Sequence, residues 1–566
     1  MWESLILVLI ILALYIIIVL VMILKNKQAR KDLRAYIRIS KGVKKHVLLN
    51  DITAKRASGY FRMHKNENSI DDITWEDLNL DDVYSTMNNT YSAAGEEILY
   101  NMLRNPSLDA SELEDREKYI QFFSKEEDVR VDLQETLTSL GYAGRYSIYD
   151  YLEFLNDLKG MDVSKDIVLN FSYLLGIGLL FTMPSAGIVF LLVIVIYQFT
   201  TYYNKNSILE AYMGCFSYVI RSVESATAIA KIKNLDKIAS KELENIEAAK
   251  NKLKRFSKGT IWIKQSTKQV GSSNPLDPIL DIIRMATHVD IIKFSKLIKY
   301  LNINLDAVWA LMENIGKLDA TASIASYRFE KEGKYCIPTL LNAKAKEIEI
   351  QIEDATYPLL EEAVPNSIYS SKSILITGSN ASGKSTFLRT VAINAVLAQS
   401  IHTCMAKSYQ APLYRIFSSI SISDDLLGGD SYYMAEIKAM KRILDSIDDD
   451  KAPILCFVDE VLRGTNTLER VAAASQILQF IGQKNATCFA ATHDLELCDL
   501  LTNSFENYHF CEEMSTGDIV FTYILHEGKA TTRNAIRLLE ALGYSENIIK
   551  KANDMAANFL QTGKWM

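Results

Sequence analysis

Ser373-Ile-Leu-Ile-Thr377-Gly378-Ser-Asn-Ala-Ser-Gly383-Lys384-Ser385-Thr386 is the stretch from which the rest of the chain can be read. Its first five residues are uncharged and mostly branched, as in a buried strand. They run straight into G-x-x-x-x-G-K-[ST], and Phe387-Leu-Arg-Thr-Val-Ala-Ile-Asn-Ala-Val-Leu397 then continues in a helical pattern. Strand, glycine-rich loop and helix together form a phosphate cradle. The glycines let the backbone curl so that its N–H groups face an anion, and the helix N-terminus adds partial positive charge there. The candidate nucleotide-binding residues are therefore Gly378, Ser379, Asn380, Ala381, Ser382, Gly383, Lys384, Ser385 and Thr386. Lys384 is placed to reach the β- and γ-phosphates of ATP, and Ser385 to hold Mg²⁺.

Two further apolar runs supply the partners of such a loop. Pro453-Ile-Leu-Cys-Phe-Val458 reads as a strand with Asp459-Glu460 at its carboxyl end. Ligands of open α/β sheets bind at that end of the strands. Asp459 can order Mg²⁺ there, and Glu460 can polarise an attacking water as general base. Ala486-Thr-Cys-Phe-Ala-Ala-Thr492 is a third strand, ending at His493, which can contact the γ-phosphate or the water.

Outward from this site, composition sets limits. The 566 residues are 49% apolar and 23% charged, with net charge −7. That balance excludes a disordered chain and supplies no global basic field for nucleic acid. Seven scattered cysteines without C-x-x-C suggest neither a zinc ribbon nor a disulfide framework. The mean hydropathy of +0.02 conceals two concentrated runs. No residue is charged between Glu3 and Lys25, long enough to cross a bilayer core of ~30 Å. Lys25, Lys27, Arg30, Lys31 and Arg34 follow it, so the positive-inside rule predicts the N-terminus outside and the remainder in the cytoplasm. Between Asp166 and Lys205 another 38 residues carry no charge. Met183-Pro184-Ser185-Ala186-Gly187 interrupts them, which predicts a membrane hairpin, Ile167–Met183 and Gly187–Tyr203. From Lys231 to Lys268 there are 11 Lys or Arg against 4 Asp or Glu, a stretch suited to phosphate backbones or an anionic leaflet, or simply to a solvated face.

Around the nucleotide loop the chain resembles the MutS family of DNA-repair ATPases, relatives of the ABC ATPases. Thr377 to Arg389 is similar to the family's T-G-x-N-x-x-G-K-S-T-x-L-R. Asp424 to Glu436 resembles its S-x-F-x-x-E segment, with Ser431 and Glu436 kept and Tyr433 in place of Phe. Val458 to Asn466 resembles D-E-x-x-R-G-T-[ST], with Asn466 departing from it, and Ala491-Thr-His-Asp494 matches the switch His. Looser likeness extends to Thr90–Gly95, Ile315–Asp319, Asp354–Leu360 with Tyr357 where His is common, Val364-Pro365-Asn366 near where the family holds adenine, and Gly528–Ala552.

The resemblance implies a dimer in which the opposite subunit's signature, here Ser431 with Glu436, closes over each ATP. It implies an α/β P-loop (ABC-type) ATPase domain and an all-α core and lever region, to which the apolar runs add about three transmembrane helices. The expected division is an anchor at 1–30, a helical region at 31–355 interrupted by the hairpin at 167–203, and the ATPase with closing helices at 356–566. The first recognised segment is near residue 75, and no F-x-E appears before it, so a mismatch-reading domain is not expected. The function expected is a Mg-ATP-hydrolysing, membrane-anchored homodimeric switch with DNA as partner. The alternative is a switch acting on a protein or lipid partner without nucleic acid.

Overall fold

The computed structural model describes residues 2–562 except 45, 47, 145, 158–161, 257–276, 343–348, 380–381, 421–431, 449–450, 516–517, 531–535, 537–538 and 540–542. Two compact units emerge. One comprises Met1–Lys65, Met87–Asn101 and Lys118–Glu330, and the other Asn66–Thr86, Met102–Glu117 and Lys331–Met566. The second unit thus starts ahead of the expected boundary at 356 and takes in two stretches assigned to the helical region. The cause is tertiary. Asp77 accepts from Ser418 Oγ at 2.7 Å and Ile420 N at 2.9 Å, and Ser107 N donates to Gln399 O at 2.8 Å.

In the first unit the chain is helical because apolar residues recur every three or four positions with few breakers. The helix Leu305–Glu330 is its spine, buried almost continuously from Ala307 to Arg328. It crosses the helix Ala93–Arg104 at Gly316, where a Cβ would lie 2.7 Å from Ala94 O. One turn on, Asp319 accepts from Tyr91 N at 3.0 Å and Ser92 N at 2.8 Å, satisfying amides at the start of that second helix.

The apolar runs form helices. Trp2–Ile39 is a single helix, longer than the anchor expected over 1–30, with Leu9, Leu14, Ile17 and Leu24 exposed. Its basic tail is engaged by protein: Arg34 Nη1 lies 2.5 Å from Asp132 and 3.0 Å from Glu135 on the helix Glu127–Leu140. Ser164–Thr182 and Pro184–Ile229 form the expected hairpin, broken only at Met183 (φ −139°, ψ 79°). The break is narrower than the five-residue turn read from sequence, because Pro184 is compatible with a first helical position. Gly187 is spent on packing instead, since a Cβ there would sit 2.7 Å from Leu180 N. The second arm runs past Tyr203 to Ile229, for polar residues alone do not stop a helix. Ser164–Thr182 and Pro184–Tyr203 are long and apolar enough to cross a membrane; the described residues therefore hold two such helices against the three expected.

The second unit carries two sheets. The smaller consists of β1 (Thr339–Leu341), β2 (Ile350–Ala355), β3 (Asn366–Ser370) and β5 (Ser408–Pro412), in the order β1-β5-β2-β3. The larger adds β4 (Ser373–Thr377), β6 (Arg415–Ser419), β7 (Ile454–Asp459), β8 (Ala486–Thr492), β9 (Phe505–Ser515) and β10 (Asp518–Glu527), in the order β10-β9-β4-β8-β7-β6. All its neighbours are parallel except β10 with β9. The three strands read from sequence are β4, β7 and β8. They are buried along almost their whole length, as parallel strands covered on both faces must be.

Candidate nucleotide site

Register brings the chemistry together. Thr377 pairs with Thr492, and Asp459 with Ala491, so β4, β8 and β7 end at one level. Parallel strands place all three carboxyl ends on the same edge, where the nucleotide loop, His493 and Glu460 meet. Gly378 and Gly383 have φ of +147° and +110°, which side chains disfavour, and the helix Lys384–Ile401 starts directly after Gly383.

Lys384 is buried and its Nζ donates to Gly378 O at 2.8 Å and Ser379 O at 2.7 Å, so its charge is held inside the loop. Ser382 Oγ is buried in the same loop without a hydrogen-bond partner among the described residues, a donor that suits a phosphate oxygen. Ser385 Oγ donates to Asp459 Oδ2, forming a pair of hard oxygen ligands that fits Mg²⁺. Burial raises the Asp459 carboxyl, against the Ser385 hydrogen bond. Among the described residues no cluster of three acidic, His or Cys side chains gathers. An ion that keeps several waters and takes phosphate oxygens needs no such cage. Thr386 is exposed at the helix start; Asn380 and Ala381 lie outside the described residues.

Glu460 takes φ +58° after β7, and its backbone N donates to Ala491 O at 2.9 Å. Its carboxylate is held from two sides, by His493 Nε2 at 2.6 Å and Arg463 Nε at 2.5 Å. Burial opposes the charge, yet His493, Arg463 and Lys384 together keep the carboxyl below its ordinary range. His493 also places Nδ1 3.0 Å from Gly378 O, bridging base and nucleotide loop. Asp494 then bonds Arg470 at 2.7 and 2.8 Å, fixing the turn that carries His493.

Sequence reasoning quoted Arg463 within a motif without giving it a role. Its spacing from Glu460, three residues on, was the available signal. Two of the departures from the family pattern are accommodated. Asn466 caps the helix Thr467–Gln483 by accepting from Glu469 N at 3.0 Å. Tyr433 packs its ring on Gly464, where a Cβ would be 3.1 Å away. Glu436 is buried and accepts from Arg463 N at 3.0 Å, so it braces the loop of its own chain. Ser431, which the resemblance pairs with Glu436, lies outside the described residues.

The loop opens into a cavity of about 900 Å³ lined by Lys384, Ser385, Glu460, Val364, Phe510 and Tyr523. Asn366 is occupied in shaping it: its side chain accepts from Leu525 N at 2.7 Å and donates to Tyr523 O at 3.0 Å, tying β3 to β10.

Residues 374–560 match the family described as MutS domain V. The chain is 30% identical to the DNA mismatch repair protein MutS of Natronomonas pharaonis over 252 residues, 43% of this chain and 28% of the relative. It is 33% identical to the protein of the same name from Thermus aquaticus over 208 residues, 36% of this chain and 25% of the relative. To the DNA mismatch repair protein MutS 2 of Haloarcula marismortui it is 29% identical over 278 residues, 45% and 29% of the two chains. The likeness thus spans under a third of each of these relatives. Through residues 374–560 the chain is thus similar to the MutS family.

Proposed function

We propose that this chain hydrolyses Mg-ATP to ADP and phosphate, using the cycle to close and open a homodimer anchored in a membrane. The observation that carries the reading is the convergence of Glu460, His493, Lys384 and the Ser385–Asp459 pair at one sheet edge. Lys384 binds the β- and γ-phosphates, Ser382 and the loop amides bind phosphate oxygens, and His493 senses the γ-phosphate while holding Glu460. Glu460 accepts the proton of the attacking water. Mg²⁺, when bound by Ser385 and Asp459, supplies charge neutralisation at the phosphates. Ser431 of the partner subunit closes the site, so that ATP binds the closed dimer better than the open one, and differential affinity of this kind is what drives a switch.

Glu460→Gln tests the assignment. ATP binding should persist and a closed dimer should accumulate, while turnover falls by about 10²–10⁴-fold, the range for a lost general base. Unchanged turnover would refute the role.

Membrane attachment is supported by burial that is inverted relative to a water-soluble helix pair. On the hairpin Phe171 is 65% exposed and Ile196 62%, whereas Gln198 is fully buried. Large apolar faces outward and polar groups inward suit lipid, not water. The basic residues after the first apolar run support an N-terminus outside and an ATPase in the cytoplasm. DNA is the proposed cargo, supported by the names of the relatives. Of the basic stretch 231–268, the described part includes the helix Asp236–Lys252, where Lys241 and Lys252 are exposed. A salt-dependent, ATP-responsive affinity for DNA is the expected result. Intact ATPase without it would favour a protein or lipid partner.

A further inference from the structure

The helix Asp277–Thr287 breaks the ordinary pattern of a surface helix. Its charged Arg284 is 2% exposed, while Ile282 is 61% exposed, with Ile279 and Ile283 beside it at helical spacing. Leu280 and Arg284 form the inward face, and Arg284 Nη1 pairs with Asp281 at 2.7 Å. In water such an arrangement gives up apolar burial and desolvates a cation at once. Three isoleucines on one face of an 11-residue helix are what a helix lying in a bilayer interface presents to lipid.

The helix is fastened to the hairpin. Its last carbonyls are satisfied by hairpin side chains: Asn170 Nδ2 donates to Thr287 O at 2.7 Å and Tyr173 OH to Ala286 O at 2.7 Å. His288, fully buried at φ +50°, follows it. Its Nδ1 lies 2.8 Å from Asp166 Oδ1 and its Nε2 2.9 Å from Gln198 O. Lys205 closes the cluster on Asp166 at 2.7 Å. The polar groups of the hairpin base are thus gathered inside, and the apolar surface of the hairpin continues onto Ile279, Ile282 and Ile283. On the next helix, Val289–Ile303, Lys296 and Lys299 are exposed and supply positive charge.

Resting on the membrane reading of the hairpin, we propose that Asp277–Thr287 is a third lipid-contacting element, seated in the headgroup–acyl boundary of the leaflet that the hairpin enters. Its occupant is the bilayer interface, with lipid phosphates facing the lysines.

The test uses the full chain in phosphatidylcholine–phosphatidylglycerol vesicles, with an environment-sensitive fluorescent amino acid replacing Ile282, Leu192 or Glu244 in turn. All three side chains are exposed, so the fold should tolerate the replacements. The expected result is a blue shift at 282 with stronger quenching by lipid spin-labelled near the headgroup than by lipid labelled deep in the chain. Leu192 should show the reverse order and Glu244 no quenching. Quenching at 192 with an aqueous signal at 282 would overturn the proposal while leaving the hairpin in the membrane. Aqueous signals at both would instead remove the membrane reading on which it rests. A shift at 282 that follows protein concentration and not lipid would assign the face to a second copy of the chain, also overturning it.

Discussion

Replacing Asp319 by Asn should abolish a stability change that the native chain undergoes between pH 4 and 6. Asp319 is buried under the N-terminus of the helix Ala93–Arg104, accepting from Tyr91 N, Ser92 N and Ser92 Oγ at 2.5–3.1 Å. Burial pushes its carboxyl from an ordinary 3.8 up to about 6, against these hydrogen bonds and the charge of Lys44. The folded-state value is raised, so the folded chain binds this proton more tightly than the unfolded chain. The associated stability is fully present below pH 3.8, is lost as pH rises through about 6, and is flat above. At about 1.4 kcal/mol per tenfold, the loss is about 3 kcal/mol. Asn keeps the size of the side chain and cannot ionise. Urea unfolding of both proteins in detergent, followed by fluorescence of Trp309 on the same helix, measures the difference at each pH. Other buried carboxyls, such as Glu97, titrate in both proteins and cancel. The native chain should gain about 2 kcal/mol relative to Asp319→Asn as pH falls from 7 to 4, with the rest gained below pH 3.8. A difference that is constant with pH, or that moves the other way, would refute the account of a carboxylate held against its own desolvation.

Arg463→Ala removes the guanidinium that pairs with Glu460, so the Glu460 carboxyl should rise and the acid limb of the ATPase pH profile should move to higher pH; stopped-time phosphate release across pH reads this. Gly187→Val brings a branched side chain against the Leu180 backbone, where even a Cβ would lie at 2.7 Å. The hairpin arms should separate, seen as a longer spin–spin distance between labels at Leu175 and Leu192, with about 1–3 kcal/mol lost as in other overpacked sites.

This sheet edge with its nucleotide loop was legible because each part of it is local. A strand, a glycine-rich loop and a helix are contiguous in sequence, and the carboxyl ends of β7 and β8 are marked by Asp459-Glu460 and His493. β9 and β10 carry no comparable motif, and they are fixed by pairing with β4 and with each other. The attachment of residues 66–86 to β6 was hidden for the same reason, since Asp77 and Ser418 are 341 positions apart. Glu436 was read from a motif, whereas its burial against Arg463 N is a property of the folded chain. The hairpin was visible as a missing-charge interval. Its second apolar span ends at Tyr203 as read, while the helix itself continues to Ile229, because the return of charge at Lys205 marks where lipid would stop, not where the helix does.

That arm has a mechanical consequence. Pro184–Ile229 is one helix of 46 residues, about 69 Å at 1.5 Å per residue. A tilt of about 5° at its Ile229 end moves the Pro184 end by about 6 Å, more than one helical pitch. An unbroken rod of this length converts small rotations among packed helices into displacements on the scale of a lipid headgroup, so a subtle rearrangement near Ile229 is sufficient to pull or push the hairpin tip.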